Sequence, residues 1–298
     1  MDVCGMEIRI QVKAGLIRIA HLAAEGFEFV DDPDVLLEAL RKPKAPIDLF
    51  SFIQQLPDTS PKYGYPFEWD NVAALPVSSF DHWWTRQINP KTRNMVRRAQ
   101  KKGVEVREVP FDDALIQTIS KIYNESPVRQ GKPFTHYGKD LESLHREHAT
   151  FLDQSIFIGA FLGEEPIGFV KLVVTQHQAG LMQIVSMIGH RDKAPTNALI
   201  AQAVRSCAER AIPYLVYDRF PGGKKEQDSL SEFKRHNGFQ CVDLPRYNVP
   251  LTLAGRMALS LGLHRRFADH LPETMLARLR EIRNLWYTRR VRAAAGAG

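Results

Sequence analysis

Between residues 156 and 250 the chain runs through strand-like and helix-like stretches in an order that few folds can accommodate. Ile156–Leu162 and Ile167–Thr175 are apolar runs joined by Gly163-Glu164-Glu165-Pro166, and a third run, Leu181–Ile188, follows Gln178-Ala179-Gly180. Short runs bounded by glycine and proline read as strands in a meander. An amphipathic helix opens at Pro195-Thr196-Asn197, and the strand Tyr214–Phe220 comes after it. A second helix stops at Asn237-Gly238, two residues that tolerate the left-handed conformation, and a strand through Tyr247–Leu251 closes the series. This order predicts an α/β (α+β) fold: a mixed, mostly antiparallel central sheet flanked by helices.

The flanking segments are less regular. Residues 1–80 combine a short alternating segment, Glu7–Val12, with helix-like apolar stretches at Leu16–Ala24 and Val35–Leu40. Prolines at 43, 46, 57, 61 and 66 then break the pattern into loops, and the region reads as a half-domain or a degenerate duplicate. The main domain, residues 81–251, opens with Trp83 and Trp84 ahead of a run dense in Arg and Lys. Val104–Val109 alternates as a strand does, and Asp112–Asp153 is helical apart from Ser126–Gly138. Residues 252–298 form an extension with two helices, Leu253–Phe267 and Met275–Val291, the second ending in a basic turn.

A chain of 298 residues, 44% hydrophobic and 25% charged, can bury a substantial core. Its net charge of +6 points to an anionic partner without choosing among nucleotide, nucleic acid and membrane surface. Cys4, Cys207 and Cys241 lack metal-ligand spacing and read as reduced thiols, so no metal is expected. No apolar run reaches the ~20 residues that span a bilayer, and the N-terminus has no signal-peptide layout, so a cytoplasmic protein is expected.

The helix near 196–211 carries one apolar stripe of Leu199, Ile200, Ala203, Val204, Cys207, Ala208 and Ala211, with Thr196 as the expected N-cap. Its first turn presents unpaired N–H groups and the positive end of the helix dipole. With His190, Arg191 and Lys193 in the loop before it, that end reads as an anion site; the alternative is a well-capped core helix.

Two further segments carry a family resemblance. Lys91-Thr92-Arg93-Asn94-Met95-Val96-Arg97-Arg98-Ala99-Gln100-Lys101-Lys102-Gly103-Val104 is similar to the "R-x-x-(I/V)-R-(K/R)-A-x-K-x-G-(V/I)" run of Fem-type proteins. Leu230-Ser231-Glu232-Phe233-Lys234-Arg235-His236-Asn237-Gly238-Phe239 is similar to their "FK-x-x-(F/N)-G" helix. With the order of elements, roughly residues 80–250 resemble the GNAT acyltransferase superfamily in its Fem-type (FemAB-like) branch. The turn His190–Asn197 lacks the glycines usual where GNAT enzymes hold the pyrophosphate of coenzyme A, and Phe233 stands in the helix where many carry a Tyr general acid. Residues 1–80 would then be a partial or degenerate GNAT-like region.

The resemblance implies an N-acyltransferase that moves an acyl or aminoacyl group from a carrier to an amine. Acyl-CoA is the expected co-substrate, with nothing bound permanently; an aminoacyl-tRNA-dependent peptidyltransferase is the alternative. It places the reacting carbonyl where the fourth and fifth strands splay, near Ser186–Ile188 and Val216–Arg219. A carboxylate there, Asp218, can take the amine proton or orient the acceptor, or simply pair with Arg219 or Lys224. Tyr217 is a second catalytic candidate or a core aromatic. Donor contacts fall to Ser186, Arg191, Lys193, Thr196, Asn197 and Lys234; for Lys234 and the adjacent Arg235 the alternative is a solvated helix face. The polar loop 123–138 offers Glu125 and His136 as bases and Arg129 and Tyr137 for acceptor binding, or is an ordinary capped turn.

Expected acceptors are small-molecule or cell-envelope-precursor amines. The basic stripe Arg93, Arg97, Arg98, Lys101 and Lys102 can hold tRNA or another anionic carrier, or be a solvated face. The final helix, with Arg278, Arg280, Arg283, Arg289, Arg290 and Arg292 beside Leu285, Trp286 and Tyr287, is compatible with peripheral membrane contact. A non-catalytic GNAT-like module binding nucleic acid or a membrane surface is the remaining alternative.

Overall fold

The computed structural model describes residues 9–13, 15–41, 47–220 and 229–265, and the backbone alone of 2–3 and 6–7. Ten strands form one sheet: β1 (Ile10–Lys13), β2 (Ile19–Leu22), β3 (Leu49–Ile53), β4 (Phe67–Pro76), β5 (Val104–Val109), β6 (Ser155–Leu162), β7 (Glu165–Val174), β8 (Gln178–Ser186), β9 (Tyr214–Val216) and β10 (Gln240–Pro250). Their spatial order is β1-β2-β3-β10-β4-β9-β8-β7-β6-β5. The sheet is antiparallel except where β2 meets β3 and β8 meets β9. The expected mixed, mostly antiparallel sheet is therefore observed.

Among the described residues the helices of eight residues or more are α1 (Pro33–Arg41), α2 (Pro90–Lys101), α3 (Asp113–Tyr123), α4 (Leu141–His148), α5 (Pro195–Glu209), α6 (Ser229–His236) and α7 (Leu253–Ser260). Local chemistry sets several starts. Asn89, Asp112 and Asp140 accept backbone N–H bonds at 2.7–2.8 Å as N-caps of α2, α3 and α4. Alternation along the strands then assigns the two faces. Ile158, Ala160, Val170 and Leu172 pack with α5 and α2, whereas Phe157 and Phe169 face α3 and α4. Phe50, Phe52, Tyr247 and Val249 turn toward α1, on the same face as α5.

Two parallel pairs therefore share one design. Each is joined by a helix on the same face, α1 or α5, and each pairs over three residues: Ile19–His21 with Leu49–Ser51, and Gln178–Gly180 with Tyr214–Val216. β4 sits between β9 and β10, so the sheet runs unbroken across the boundary expected at residue 80.

Four local expectations are corrected. Leu16–Ala24 holds the strand β2, not a helix; a short apolar run is ambiguous by periodicity, and pairing with β1 and β3 decides it. The N-cap of α5 is Ala194, in the left-handed region at φ 53°, and Pro195 opens the helix; the Thr196 hydroxyl bonds that of Ser186 instead, at 2.8 Å. β9 ends at Val216, short of Phe220, because Asp218 turns the chain at φ 50°. The last strand starts at Gln240, well before Tyr247.

The second helix of the extension, and with it the membrane contact expected there, lies outside the described residues, as does Lys224. Among the described residues no helix is long and apolar enough to cross a membrane, and no cluster of His, Cys, Asp and Glu is arranged to hold a metal ion.

Candidate active site

β8 and β9 stay paired only as far as Gly180 and Val216. Beyond that point the chain follows β4: Tyr217 N donates to Ala73 O at 2.8 Å and Ala73 N to Asp218 O at 2.7 Å. β8 continues to Ser186 with no strand along that edge among the described residues. The parting opens a cavity of about 290 Å³ on the face opposite α5, walled by Gln178, Met182, Tyr217, Asp218 and Arg219 and roofed by Phe27. Gly180 is required there, because a Cβ would lie 2.7 Å from the Phe27 ring.

The cavity joins a wider polar groove of about 840 Å³ over the same face of β1, β2, β3, β10 and β4, sharing Glu25, Arg219 and Arg246 with it. The floor is a row of polar side chains in register across four strands: Gln11 opposite His21, His21 opposite Ser51, and Ser51 opposite Asn248.

A four-residue charge cluster stands at the junction. Arg246 donates through both terminal nitrogens to Glu25, at 2.8 Å each, and through Nε to Asp70 at 2.7 Å. Arg219 also meets Asp70, at 2.9 Å, and its side chain remains 42% exposed toward the cavity. Burial opposes the Arg246 charge, but the Glu25 and Asp70 carboxylates more than offset it and hold the guanidinium above its usual pKa. Burial lowers the pKa of the neighbouring His21, against a smaller opposing pull from Glu25.

Of the residues expected at the site, Tyr217 and Asp218 are present. Asp218 is exposed, and its left-handed backbone is the kind of local strain that clusters at functional sites. Burial, then the Asp218 charge, pushes the Tyr217 phenol up to about 12, so it stays protonated at neutral pH. Arg219 does not pair with Asp218; it turns to Asp70 and Glu25.

Lys234 is not at the β8–α5 turn. It is buried behind the 217–220 segment, where Nζ donates to Arg219 O at 2.6 Å and lies 4.6 Å from the Tyr217 ring centre. Arg235 is likewise turned to that segment, 5.5 Å from the centre of the Phe220 ring.

The other expected residues gather elsewhere. Ser186, Arg191, Lys193, Thr196 and Asn197 do share the β8–α5 turn, with Lys193 ion-paired to Asp192 at 3.3 Å. Glu125 and Arg129 reach that turn from the end of α3 and do not line the cavity. His136 packs on Tyr123 and Phe134, its pKa lowered by burial and then by Lys139, and Tyr137 stands exposed beside it. Neither lines the cavity or the groove.

Glu25, Asp70, Arg246 and His21 were not anticipated. For His21, Asp70 and Arg246 the signal was faint: charged or polar residues inside strands, at positions that pairing puts on one face; Glu25, in the loop after β2, carried none.

No family model matches the chain, and no curated protein sequence matches it. Solved structures do. FemX superposes with a TM-score of 0.58 at 11% identity, over 84% of this chain and 85% of that one. L-PGS from Bacillus licheniformis gives 0.53 at 18% identity, over 86% of each chain. The C-terminal domain (DUF2156) of a protein described as a lysylphosphatidylglycerol synthetase from Agrobacterium fabrum gives 0.53 at 15% identity, over 84% of this chain and 83% of that one. At such identities the likeness is one of fold. With its meander, crossover helix and splayed parallel pair, the chain has the GNAT-like fold, which it shares with FemX and the L-PGS structures.

Proposed function

We propose that the chain is an N-acyltransferase, moving an acyl or aminoacyl group from a carrier onto an amine at the cavity between β8 and β9. The observation that carries this reading is the parting of the two strands after Gly180 and Val216, with Tyr217, Asp218 and Arg219 on the wall of the gap. An extended carrier arm can lie along the open edge of β8 as an added strand, which fixes its carbonyl without a dedicated pocket. The amine nitrogen attacks that carbonyl while Asp218 takes its proton. Arg219 faces the developing oxyanion, and Asp218 can pass the proton it has taken to the leaving group as the carrier departs.

The polar groove suits the acceptor, a hydrophilic amine such as a small molecule or a cell-envelope precursor. For the donor, acyl-CoA and aminoacyl-tRNA both satisfy the chemistry. The name of the synthetase with the same fold is in keeping with an aminoacyl cargo. The exposed Arg97, Arg98, Lys101 and Lys102, which with Asn94 line a depression of about 410 Å³, suit the phosphates of either carrier.

That depression also favours a second reading, a non-catalytic module for a polyanion, which predicts steep salt dependence and no turnover. The test is incubation with acyl-CoA thioesters or aminoacyl-tRNA and a panel of amines, read by mass spectrometry for the new amide. Product formation that falls about 100-fold or more in Asp218→Asn is expected. No product with any donor, or an Asp218→Asn variant as active as the parent, overturns the reading.

A further inference from the structure

In the GNAT enzymes that the chain resembles, the turn corresponding to that between β8 and α5 holds the pyrophosphate of coenzyme A; here it is filled by the chain's own carboxylate. Glu125 accepts from Ile188 N through Oε2 at 2.6 Å and from Gly189 N through Oε1 at 2.8 Å. One oxygen on each of two successive amides is the arrangement that such a turn offers to an edge of a phosphate.

Arg129 holds the carboxylate in place. Its Nη2 lies 3.3 Å from Glu125 Oε2, while Nη1 donates to Ser186 O and Nη2 to Ile122 O, at 2.7 Å each. The arginine thus ties the end of α3 to the end of β8, with both side chains of the pair largely buried, at 15% and 22% exposure.

The start of α5 is committed in the same way. Pro195 brings no N–H, and the Ala194 carbonyl accepts from Asn197 N at 3.2 Å and Ala198 N at 3.4 Å. At the start of this helix the Asn197 and Ala198 amides are thus engaged within the turn, and position 195 offers none.

We infer that Glu125 is a built-in occupant of this anion position and bars a diphosphate, such as that of coenzyme A, from the β8–α5 turn. A diphosphate at the same amides would stand against the Glu125 charge and displace two of its hydrogen bonds. The inference rests on the acyltransferase reading and narrows its donor to a carrier that needs no diphosphate seat in this turn.

Calorimetric titration with coenzyme A and with inorganic pyrophosphate tests it, on the full chain and on Glu125→Ala and Glu125→Gln, with hydrogen exchange to locate any binding. The parent is expected to bind neither at this turn. Pyrophosphate affinity should rise about tenfold or more in Glu125→Ala, with new protection at Ile188 and Gly189. Glu125→Gln, which keeps the shape and removes the charge, serves if the alanine variant does not fold. Coenzyme A binding by the parent with protection at Ile188 and Gly189 overturns the inference and leaves the acyltransferase reading intact. Folded variants that gain no pyrophosphate affinity overturn it equally. Absence of turnover with every donor sinks the acyltransferase reading alone, since the titrations do not depend on catalysis.

Discussion

Arg246 on β10 grips Glu25, from the loop after β2, with two parallel hydrogen bonds of 2.8 Å across 221 residues of sequence. The same guanidinium holds Asp70 on β4 at 2.7 Å, so one side chain fastens three strand neighbourhoods at the junction of cavity and groove. Removing it leaves two largely buried carboxylates with Arg219, 2.9 Å from Asp70 and 3.9 Å from Glu25, as their remaining cation. Arg246→Met should destabilise the fold by about 3 kcal/mol, the lower end for breaking a buried ion pair. Denaturant unfolding checks this, and Arg246→Lys should recover only part, because an ammonium cannot span both carboxylates in the planar fork.

Asp218 combines a left-handed backbone with an exposed carboxylate. Asp218→Asn should keep the thermal midpoint, since asparagine also tolerates this conformation, and lower single-turnover acyl transfer by about 100-fold or more. Asp218→Gly should lose the same activity while gaining about 1 kcal/mol of stability through relief of the strain. Activity and stability thus move in opposite directions at one residue, an outcome a purely structural aspartate would not give.

His148, the last residue of α4, is buried, its pKa lowered to about 4 by burial and then by the nearby Lys171 charge. Its unfolded value lies near ~6.5, so between those two pH values the unfolded chain binds a proton that the native state does not. Stability should therefore fall as pH drops from 6.5 to 4, by up to about 3 kcal/mol from this residue. His21 and His136 shift in the same direction. Unfolding midpoints across this range should show the loss, and His148→Gln should remove the largest part of it.

Gly180 and Phe27 are a packed pair at the cavity roof. Gly180→Ala drives a methyl group to within 2.7 Å of the Phe27 ring, and should cost about 1–3 kcal/mol unless the ring moves. Phe27→Leu in the same background should restore part of the loss. A double-mutant cycle giving no coupling between the two positions would contradict this packing.

The sequence determined what depends on neighbours along the chain. β5 and the meander of β6, β7 and β8 fall on or near the predicted runs, because a buried strand must be apolar over its own length. α5 and the stop of α6 at Asn237-Gly238 were legible from stripe and turn chemistry, and the helical pair α3 and α4 from its interrupted pattern. Tyr217 and Asp218 line the gap between β8 and β9, the place that the resemblance to GNAT-like folds had pointed to.

Tertiary structure alone decided what depends on residues far apart. Whether Ile19–Leu22 is strand or helix rests on pairing with β1 and β3, which local propensity does not encode. The insertion of β4 between β9 and β10, and the end of β9 at Val216, are matters of register between strands some 140 to 180 residues apart. The partners of Glu125, Lys234 and Arg246 followed the same rule. A charged side chain taken out of water settles on whichever opposite charge or backbone group the fold brings within reach, and its own sequence neighbourhood does not say which.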